Sequence, residues 1–260
     1  MFSGNVPAEL GKLINLKHLV ILANHLTGQL PLELNNLINL EDMRLSNNNF
    51  TGKLPNFQSW KRLQILEIQA SGFEGPIPPS ISTLTNLTDL LISNLNGGAS
   101  EFPRLENMTN LKILVLRSCN ISGKIPKSLS QLSKLQKLDL SFNNLAGDLD
   151  SVGDLTPLGH LEIVFLTNNS LTGNIPKWIK DRSPTDWIDL SYNNFSFERK
   201  PCGDSLNLFR SNGNNLTHDS CLDRNPPCSA GITDFILSKF QIRHVSHQLL
   251  LNQSIDCFKI

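Results

Sequence analysis

The sequence predicts an α/β-type repeat solenoid, coiled as a right-handed curved superhelix with a parallel β-sheet on its concave face and a mostly irregular or 3-10 convex side. Two observations predict it. Apolar residues recur at a fixed spacing, and one turn position returns at intervals of 23 to 26 residues. That position, which defines units one to eight, holds in order Asn24, Asn48, Ser71, Leu95, Cys119, Asn143, Asn169 and Asn193.

Each unit contains a short alternation of apolar and polar residues that predicts a β-strand. In Leu138-Asp139-Leu140 the leucines point to one face of the strand and Asp139 points to the other. One such strand cannot bury its apolar face alone, so neighbouring units stack and share a continuous core. Each unit contributes about seven inward apolar side chains, and burial of each is worth roughly 1.5–3 kcal/mol before the entropy of ordering.

Asparagine predominates at the position that follows each strand. Its side-chain amide both donates and accepts hydrogen bonds, so it can satisfy backbone groups that the bend leaves unpaired. We therefore expect a structural asparagine column. Its members are Asn24, Asn48, Asn143, Asn169 and Asn193.

The outward positions of the strands give the candidate ligand-binding residues on the concave face. Val20, Leu91, Val115 and Phe165 are expected to form one exposed apolar column. The complete candidate set is Val20, Arg44, Glu67, Leu91, Val115, Arg117, Asp139 and Phe165. Charged members of this set would flank the apolar column and make it a recognition stripe. The alternative is that these side chains pack only on their neighbours in the sheet.

Several motifs resemble one family of repeat proteins. The unit endings Gly75-Pro76-Ile77-Pro78 and Gly123-Lys124-Ile125-Pro126 resemble the plant extracellular class of leucine-rich repeats. The irregular Asn94-Leu95-Asn96-Gly97-Gly98 and the run Asn207-Leu208-Phe209-Arg210-Ser211 are similar to plant receptor-like kinases. Those proteins carry leucine-rich repeats, a malectin-like domain, one membrane helix and a cytoplasmic serine/threonine kinase.

The resemblance implies a function at the extracellular face of the plant plasma membrane. The repeats would bind a peptide, protein or carbohydrate ligand and a co-receptor kinase. The alternative is a free-standing extracellular inhibitor of pathogen cell-wall-degrading enzymes, similar to polygalacturonase-inhibiting proteins. The chain has 23 basic and 23 acidic residues, so no nucleic-acid partner is expected.

Residues 1–198 are expected to form the repeats, residues 199–228 a cysteine-containing cap-like segment, and residues 229–260 a divergent, poorly ordered tail. We find no signal peptide, membrane-spanning run or kinase motif, and interpret the chain as a truncated ectodomain that is not itself an enzyme. It is expected to bind no cofactor and no metal. The spacing His244-x-x-His247 lacks the context of a metal site.

Two kinds of modification are expected on an extracellular protein. Cys202, Cys221, Cys228 and Cys257 allow three disulfide pairings, of which the resemblance favours Cys202–Cys221 because both lie in the family-like part. Cys119 is expected to be a buried turn residue. Glycosylation is expected where Asn-x-Ser/Thr sequences occur. These are at Asn49, Asn86, Asn107, Asn120, Asn168, Asn194, Asn215 and Asn252.

Overall fold

The computed structural model describes residues 1–152, 155, 158–180 and 187–196. The chain divides into two compact parts, Met1–His218 and Asp219–Ile260, and every described residue belongs to the first part. The cap-like segment and the tail lie outside the described residues. So do four individual predictions, the disulfide partners Cys202 and Cys221 and the glycosylation sites Asn215 and Asn252.

One strand from each unit enters an eight-stranded parallel sheet, here called the inner sheet. Units that follow one another in the chain are neighbours in this sheet, as predicted for stacked repeats. The strands are His18–Val20, Asp42–Arg44, Ile65–Gln69, Asp89–Ser93, Ile113–Arg117, Lys137–Asp139, Ile163–Phe165 and Trp187–Asp189. The predicted parallel sheet is confirmed.

The alternation of the strands sets the core. Leu45, Leu116 and Leu140 have no exposed surface, and the inward leucines of the central strands, Leu66, Leu90 and Leu114, are equally buried. Phe57 and Trp60 pack edge to face beneath unit three with their ring centroids 6.0 Å apart, and the Trp60 indole donates a hydrogen bond to the Leu34 carbonyl at 3.0 Å. The units therefore share one continuous apolar interior.

Short 3-10 helices lie between the strands of successive units, as predicted. They span Ala8–Lys12, Leu32–Asn36, Pro79–Thr83, Lys127–Gln131 and Leu149–Val152, and one α-helix spans Lys177–Lys180. The first four each follow a proline with an extended backbone. Because proline has a fixed φ and no N–H, it suits the entry to a helix.

A second line of parallel strands follows the turn of most units, and the sequence analysis had not anticipated it. One group of three strands comprises Ser3–Asn5, His25–Gly28 and Asn49–Phe50. One group of five comprises Ser100–Glu101, Ile121–Gly123, Asn144–Asp148, Ser170–Asn174 and Asn194–Ser196. We call these the outer strands. Between the two groups, isolated bridges join Lys53 to Glu74 and Glu74 to Asn96.

The turn that leaves each inner strand uses one residue with a left-handed backbone, immediately before the column position. In the eight units these residues are Ala23, Asn47, Ala70, Asn94, Ser118, Phe142, Asn168 and Tyr192. Their φ angles lie between 47° and 58°. Asparagine tolerates this region better than other side chains, whereas alanine and aromatic residues are strained there.

Candidate ligand-binding face

The strand register places seven of the eight candidate binding residues in one row. Pairing across neighbouring strands links, in order, Val20, Arg44, Glu67, Leu91, Val115, Asp139, Phe165 and Asp189. Arg117 belongs instead to the next row, where it pairs with Ser93 and through it with Gln69. We call the first of these the middle row of the inner sheet.

The middle row corrects the predicted apolar column. Charged residues do not flank the apolar ones but alternate with them, so Leu91 and Val115 are the only two apolar neighbours within this row of the described strands. Val20 is 50% exposed, whereas Val115 is only 4% exposed. Val115 therefore offers a ligand little surface.

Asp139 was predicted to be exposed, but only 6% of its surface is accessible. One oxygen, Oδ1, accepts hydrogen bonds from the Ser141 N–H at 3.0 Å and the Ser141 hydroxyl at 2.5 Å. Asp189 and Ser191 repeat this arrangement two units later, at 3.0 and 2.6 Å. Each aspartate, the last residue of its strand, therefore accepts two hydrogen bonds from the serine two residues further on.

Acidic residues surround one arginine in units two to four. The Arg44 Nε lies 2.9 Å from an Asp42 oxygen, and its Nη1 lies 4.0 Å from Glu67. The hydrogen bond to Asp42 raises the pKa of Arg44, while partial burial opposes that rise. Beside this cluster, Glu41, Arg62, Gln64, Asn86 and Thr88 line a shallow open depression.

Basic residues lie in units five and six. The Arg117 guanidinium sits 4.4 Å from the centroid of the Phe142 ring, within the range of a cation–π contact. Burial lowers the pKa of Lys137, Asp139 opposes that effect, and Arg117 adds to it. The inner sheet thus has an acidic part around Glu67 and a basic part around Arg117.

Aromatic side chains occupy the inner side of the last three units. Phe165 is in the middle row, Trp187 begins the last inner strand, and Phe142 and Tyr192 hold the left-handed positions that follow their strands. Phe142, Phe165 and Trp187 are half-buried, and Tyr192 is 48% exposed. We call these four residues the aromatic patch. The alternation of the strands also places Trp187 at an outward position, but of these four residues only Phe165 belongs to the candidate binding set.

The asparagine column binds the backbone of two consecutive units. The Asn143 Nδ2 donates to the carbonyls of Leu116 at 2.7 Å and Leu140 at 2.9 Å, and its Oδ1 accepts from the N–H groups of Cys119 and Ile121, both at 3.0 Å. Asn48, Asn169 and Asn193 repeat this pattern. Asn24 forms two of these bonds: its Nδ2 donates to the Leu22 carbonyl, and its Oδ1 accepts from the Phe2 N–H.

The column is interrupted in units three to five. The Ser71 hydroxyl is buried and has no hydrogen-bond partner among the described residues, and Leu95 offers none. The Cys119 Sγ lies 3.5 Å from the Ile92 carbonyl and 3.4 Å from that of Arg117. Burial raises the pKa of this thiol to about 12, so it stays protonated.

The predicted glycosylation sites differ in their surroundings. Asn49, Asn86, Asn107, Asn168 and Asn194 are exposed. Asn120 is half-buried, its Nδ2 donates to the Gly97 carbonyl at 3.1 Å, and its Oδ1 accepts from Asn144 at 2.7 Å. A glycan at Asn120 would have to replace these contacts.

The described residues contain neither a candidate metal site nor a candidate membrane span. No group of three or more His, Cys, Asp or Glu side chains with a metal-binding arrangement occurs within the described ranges. Among the same residues, no helix has the length and apolar character needed to cross a bilayer.

Comparison with known proteins identifies similar structures. A family model described as a leucine-rich repeat region matches residues 3–198. The ectodomain of the plant membrane receptor kinase GASSHO1/SCHENGEN3 from Arabidopsis thaliana, in complex with CASPARIAN STRIP INTEGRITY FACTOR 2, is 33% identical over 75% of this chain, with a TM-score of 0.66. The Arabidopsis receptor kinase HAESA, in complex with the peptide hormone IDA and the co-receptor SERK1, is 30% identical over 75%, with a TM-score of 0.68.

The chain spans less than half the length of each receptor structure. The chain spans 23% of the GASSHO1/SCHENGEN3 ectodomain and 33% of the HAESA structure. A plant ice-binding protein matches 83% of this chain and 78% of its own length, with a TM-score of 0.63, but at 23% identity it shows the fold alone. A comparison with curated proteins gave no match.

Proposed function

The chain belongs to the leucine-rich-repeat family, and from this premise we propose that its inner sheet binds a peptide or protein ligand as part of a plant receptor-kinase ectodomain. One observation carries the proposal. The middle row presents side chains of both charges and apolar side chains side by side on a rigid sheet, outside the core. Such a surface suits an extended peptide, because each of its side chains meets a different row position.

The two similar receptors support this choice of ligand. Each is a complex with a peptide or protein factor, and the HAESA complex also contains the co-receptor SERK1. We propose a co-receptor kinase as second partner on the same grounds. These comparisons favour a receptor over the inhibitor of pathogen enzymes, which no feature of the described residues favours.

The finer assignment is also a proposal. The irregular unit four and the motifs around residues 202–211 support a receptor kinase with a malectin-like domain, a membrane helix and a Cys202–Cys221 disulfide. An extracellular, glycosylated repeat region agrees with the exposed sequons at Asn49 and Asn194.

Selection from a phage-displayed library of random peptides tests the binding proposal. The immobilised full chain is the target, and enriched peptides are then measured against two variants. Leu91→Asp places a charge in the middle row between Glu67 and Val115, whereas Ser122→Asp places the same charge on an outer strand. We expect Leu91→Asp to weaken binding about tenfold or more, as for a residue at the centre of an interface.

The matched variant decides the outcome. Ser122→Asp should leave the affinity unchanged, because Ser122 pairs with Glu101 and Asn144 away from the inner sheet. Peptides that bind Leu91→Asp as tightly as the natural chain, or that lose affinity equally for both variants, would contradict inner-sheet binding.

A further inference from the structure

The aromatic patch lies around one glycosylation sequon. Half of the twelve aromatic side chains of the described residues are buried, namely Phe50, Phe57, Trp60, Phe73, Trp178 and Phe195. Four of the other six form the aromatic patch on units six to eight, where each keeps part of its surface accessible. Exposed apolar side chains that lie next to one another are a candidate binding surface.

Asn168 lies between two members of the patch. The Phe142 N–H donates to the Thr167 carbonyl at 2.8 Å, and the Asn168 N–H donates to the Ser191 carbonyl at 3.0 Å. Phe142, Asn168 and Tyr192 therefore hold equivalent positions in consecutive units, each with a left-handed backbone. Neighbouring parallel strands are about 4.8 Å apart, so one aromatic residue stands on each side of Asn168.

Asn168 also has the sequence context of a glycosylation site. It begins the sequon Asn168-Asn169-Ser170, and it is exposed. The following Asn169 is committed to the column, where its Nδ2 donates to the Leu140 and Leu166 carbonyls at 3.1 and 2.9 Å. The two adjacent asparagines thus differ, one bound to the backbone and one at the surface beside aromatic rings.

We propose that Asn168 carries an N-linked glycan whose first sugars pack on Phe142 and Tyr192, an inference that rests on the extracellular location in the proposed function. In the modification, the Asn168 Nδ2 forms a bond to the anomeric carbon of the sugar. The bond from that carbon to the diphosphate of a lipid-linked oligosaccharide breaks, and the amide loses a proton.

Sugar and aromatic surfaces are complementary. One face of an N-acetylglucosamine ring presents C–H groups, which pack on the electron-rich face of an aromatic ring. The covalent link holds the sugar beside the rings at a high effective concentration, so a weak contact is sufficient to order it. Arg117 approaches Phe142 from the preceding unit, whereas Asn168 belongs to the following one.

The glycan would divide the inner face between two occupants. Among the six sequons of the described residues, Asn168 is the one in the turn that leaves an inner strand, three residues after the strand Ile163–Phe165. Asn49 and Asn194 belong to outer strands, and Asn120 begins the segment leading to one. A sugar at Asn168 covers units six to eight and confines a peptide ligand to the row from Arg44 to Val115.

Tyr192 provides a selective probe because the chain contains 1 tyrosine. The full chain is secreted from plant cells behind a heterologous signal sequence, and glycopeptide mass spectrometry determines the occupancy of Asn168. The rate of Tyr192 nitration by tetranitromethane is then compared between two variants. Ser170→Thr keeps the sequon, and Ser170→Ala removes it while retaining Asn168. We expect nitration to be several-fold faster in Ser170→Ala.

A second glycan serves as the control. Thr51→Ala removes the sequon of Asn49, which pairs with Thr27 on an outer strand, and should leave the nitration rate unchanged. An unmodified Asn168 in a chain whose Asn49 is modified would overturn the proposal. Equal nitration of Ser170→Thr and Ser170→Ala would also overturn it. Neither outcome bears on peptide binding, which is measured separately on the Leu91→Asp variant.

Discussion

Units six to eight and units three to five differ in the residues that form the turn after the inner strand. Where asparagine follows the inner strand, as at Asn143, Asn169 and Asn193, the strand has three residues. Where the column holds Ser71, Leu95 or Cys119, the strand has five. In the longer strands, backbone pairing extends to Gln69, Ser93 and Arg117.

The hydrogen bonds that differ between the two regions come from the side chain, because backbone bonds continue past the strand end in both. The Phe142 N–H donates to the Thr167 carbonyl at 2.8 Å, as the Ser118 N–H donates to the Ser141 carbonyl at 3.0 Å. In units six to eight, the asparagine amide also satisfies carbonyls and N–H groups near the strand end. In units three to five, Ser71, Leu95 and Cys119 provide no such amide. The central units therefore depend on backbone pairing and apolar packing, including the Phe50–Phe73 stack with centroids 5.0 Å apart.

Removing a column asparagine should have the largest effect on stability. Asn143→Ala leaves the buried N–H groups of Cys119 and Ile121 and two carbonyls without their side-chain partner. We expect a loss of about 3 kcal/mol in the free energy of unfolding, measured by urea denaturation. Asn144→Ala, which removes one exposed contact with Asn120, is the control and should cost less than about 0.5 kcal/mol. Equal losses would refute the special role of the column.

The thiol in the interrupted column should make the central units sensitive to alkali. Burial raises the pKa of Cys119 from 9.0 to about 12, so the folded chain retains a proton that the unfolded chain releases. The stability advantage of the natural chain over Cys119→Ala should therefore be full below pH 9.0 and should decline between 9.0 and about 12, by about 1.4 kcal/mol per pH unit.

Denaturation of both chains over this pH range provides the measurement. The other cysteines are common to the two chains, so their titration cancels in the difference. A difference that stays constant through the range, or rapid alkylation of Cys119 in the folded chain, would show that the thiol is not protected by burial.

An asparagine can also be introduced into the interrupted part of the asparagine column. Cys119→Asn places an amide where the thiol already lies near the carbonyls of Ile92 and Arg117. We expect a gain of about 1 kcal/mol in the free energy of unfolding. Cys119→Ala is the companion variant, since it removes the thiol without adding an amide. If both variants destabilise the chain equally, the central units have no room for the asparagine arrangement.

The spacing of the apolar residues was sufficient to predict the inner sheet, because leucines at a repeated spacing can be buried together only by stacking their strands. It did not predict that Val115 and Asp139 are buried. Alternation gives the face on which a side chain emerges but not how much of its surface is accessible: Val115 is buried, and Asp139 turns back to Ser141. Such contacts between side chains leave no period in the sequence.

The outer strands and the left-handed positions escaped prediction for another reason. Segments such as Leu26-Thr27-Gly28 have only one or two apolar residues and a glycine, which is also the composition of a turn. Their strand character comes from pairing with the neighbouring unit, as Ser3 pairs with His25. Phe142 and Tyr192 occupy left-handed positions that their residue types disfavour, so propensity pointed away from the aromatic patch.

The smallest expected effect on stability comes from the left-handed backbone position of unit three and not from its column residue. Ala70 has a φ of 47°, whereas Asn47 and Asn94 occupy the same left-handed position in the units on either side. Ala70→Asn should stabilise the chain by about 0.5 kcal/mol, because asparagine is less strained in this region. Ala146→Asn is the matched control, since Ala146 lies in the outer strand Asn144–Asp148 and should gain nothing. Thermal unfolding of both variants measures the difference. A gain confined to Ala70→Asn would show that alanine at the left-handed position costs stability, whereas no gain would contradict strain at this turn.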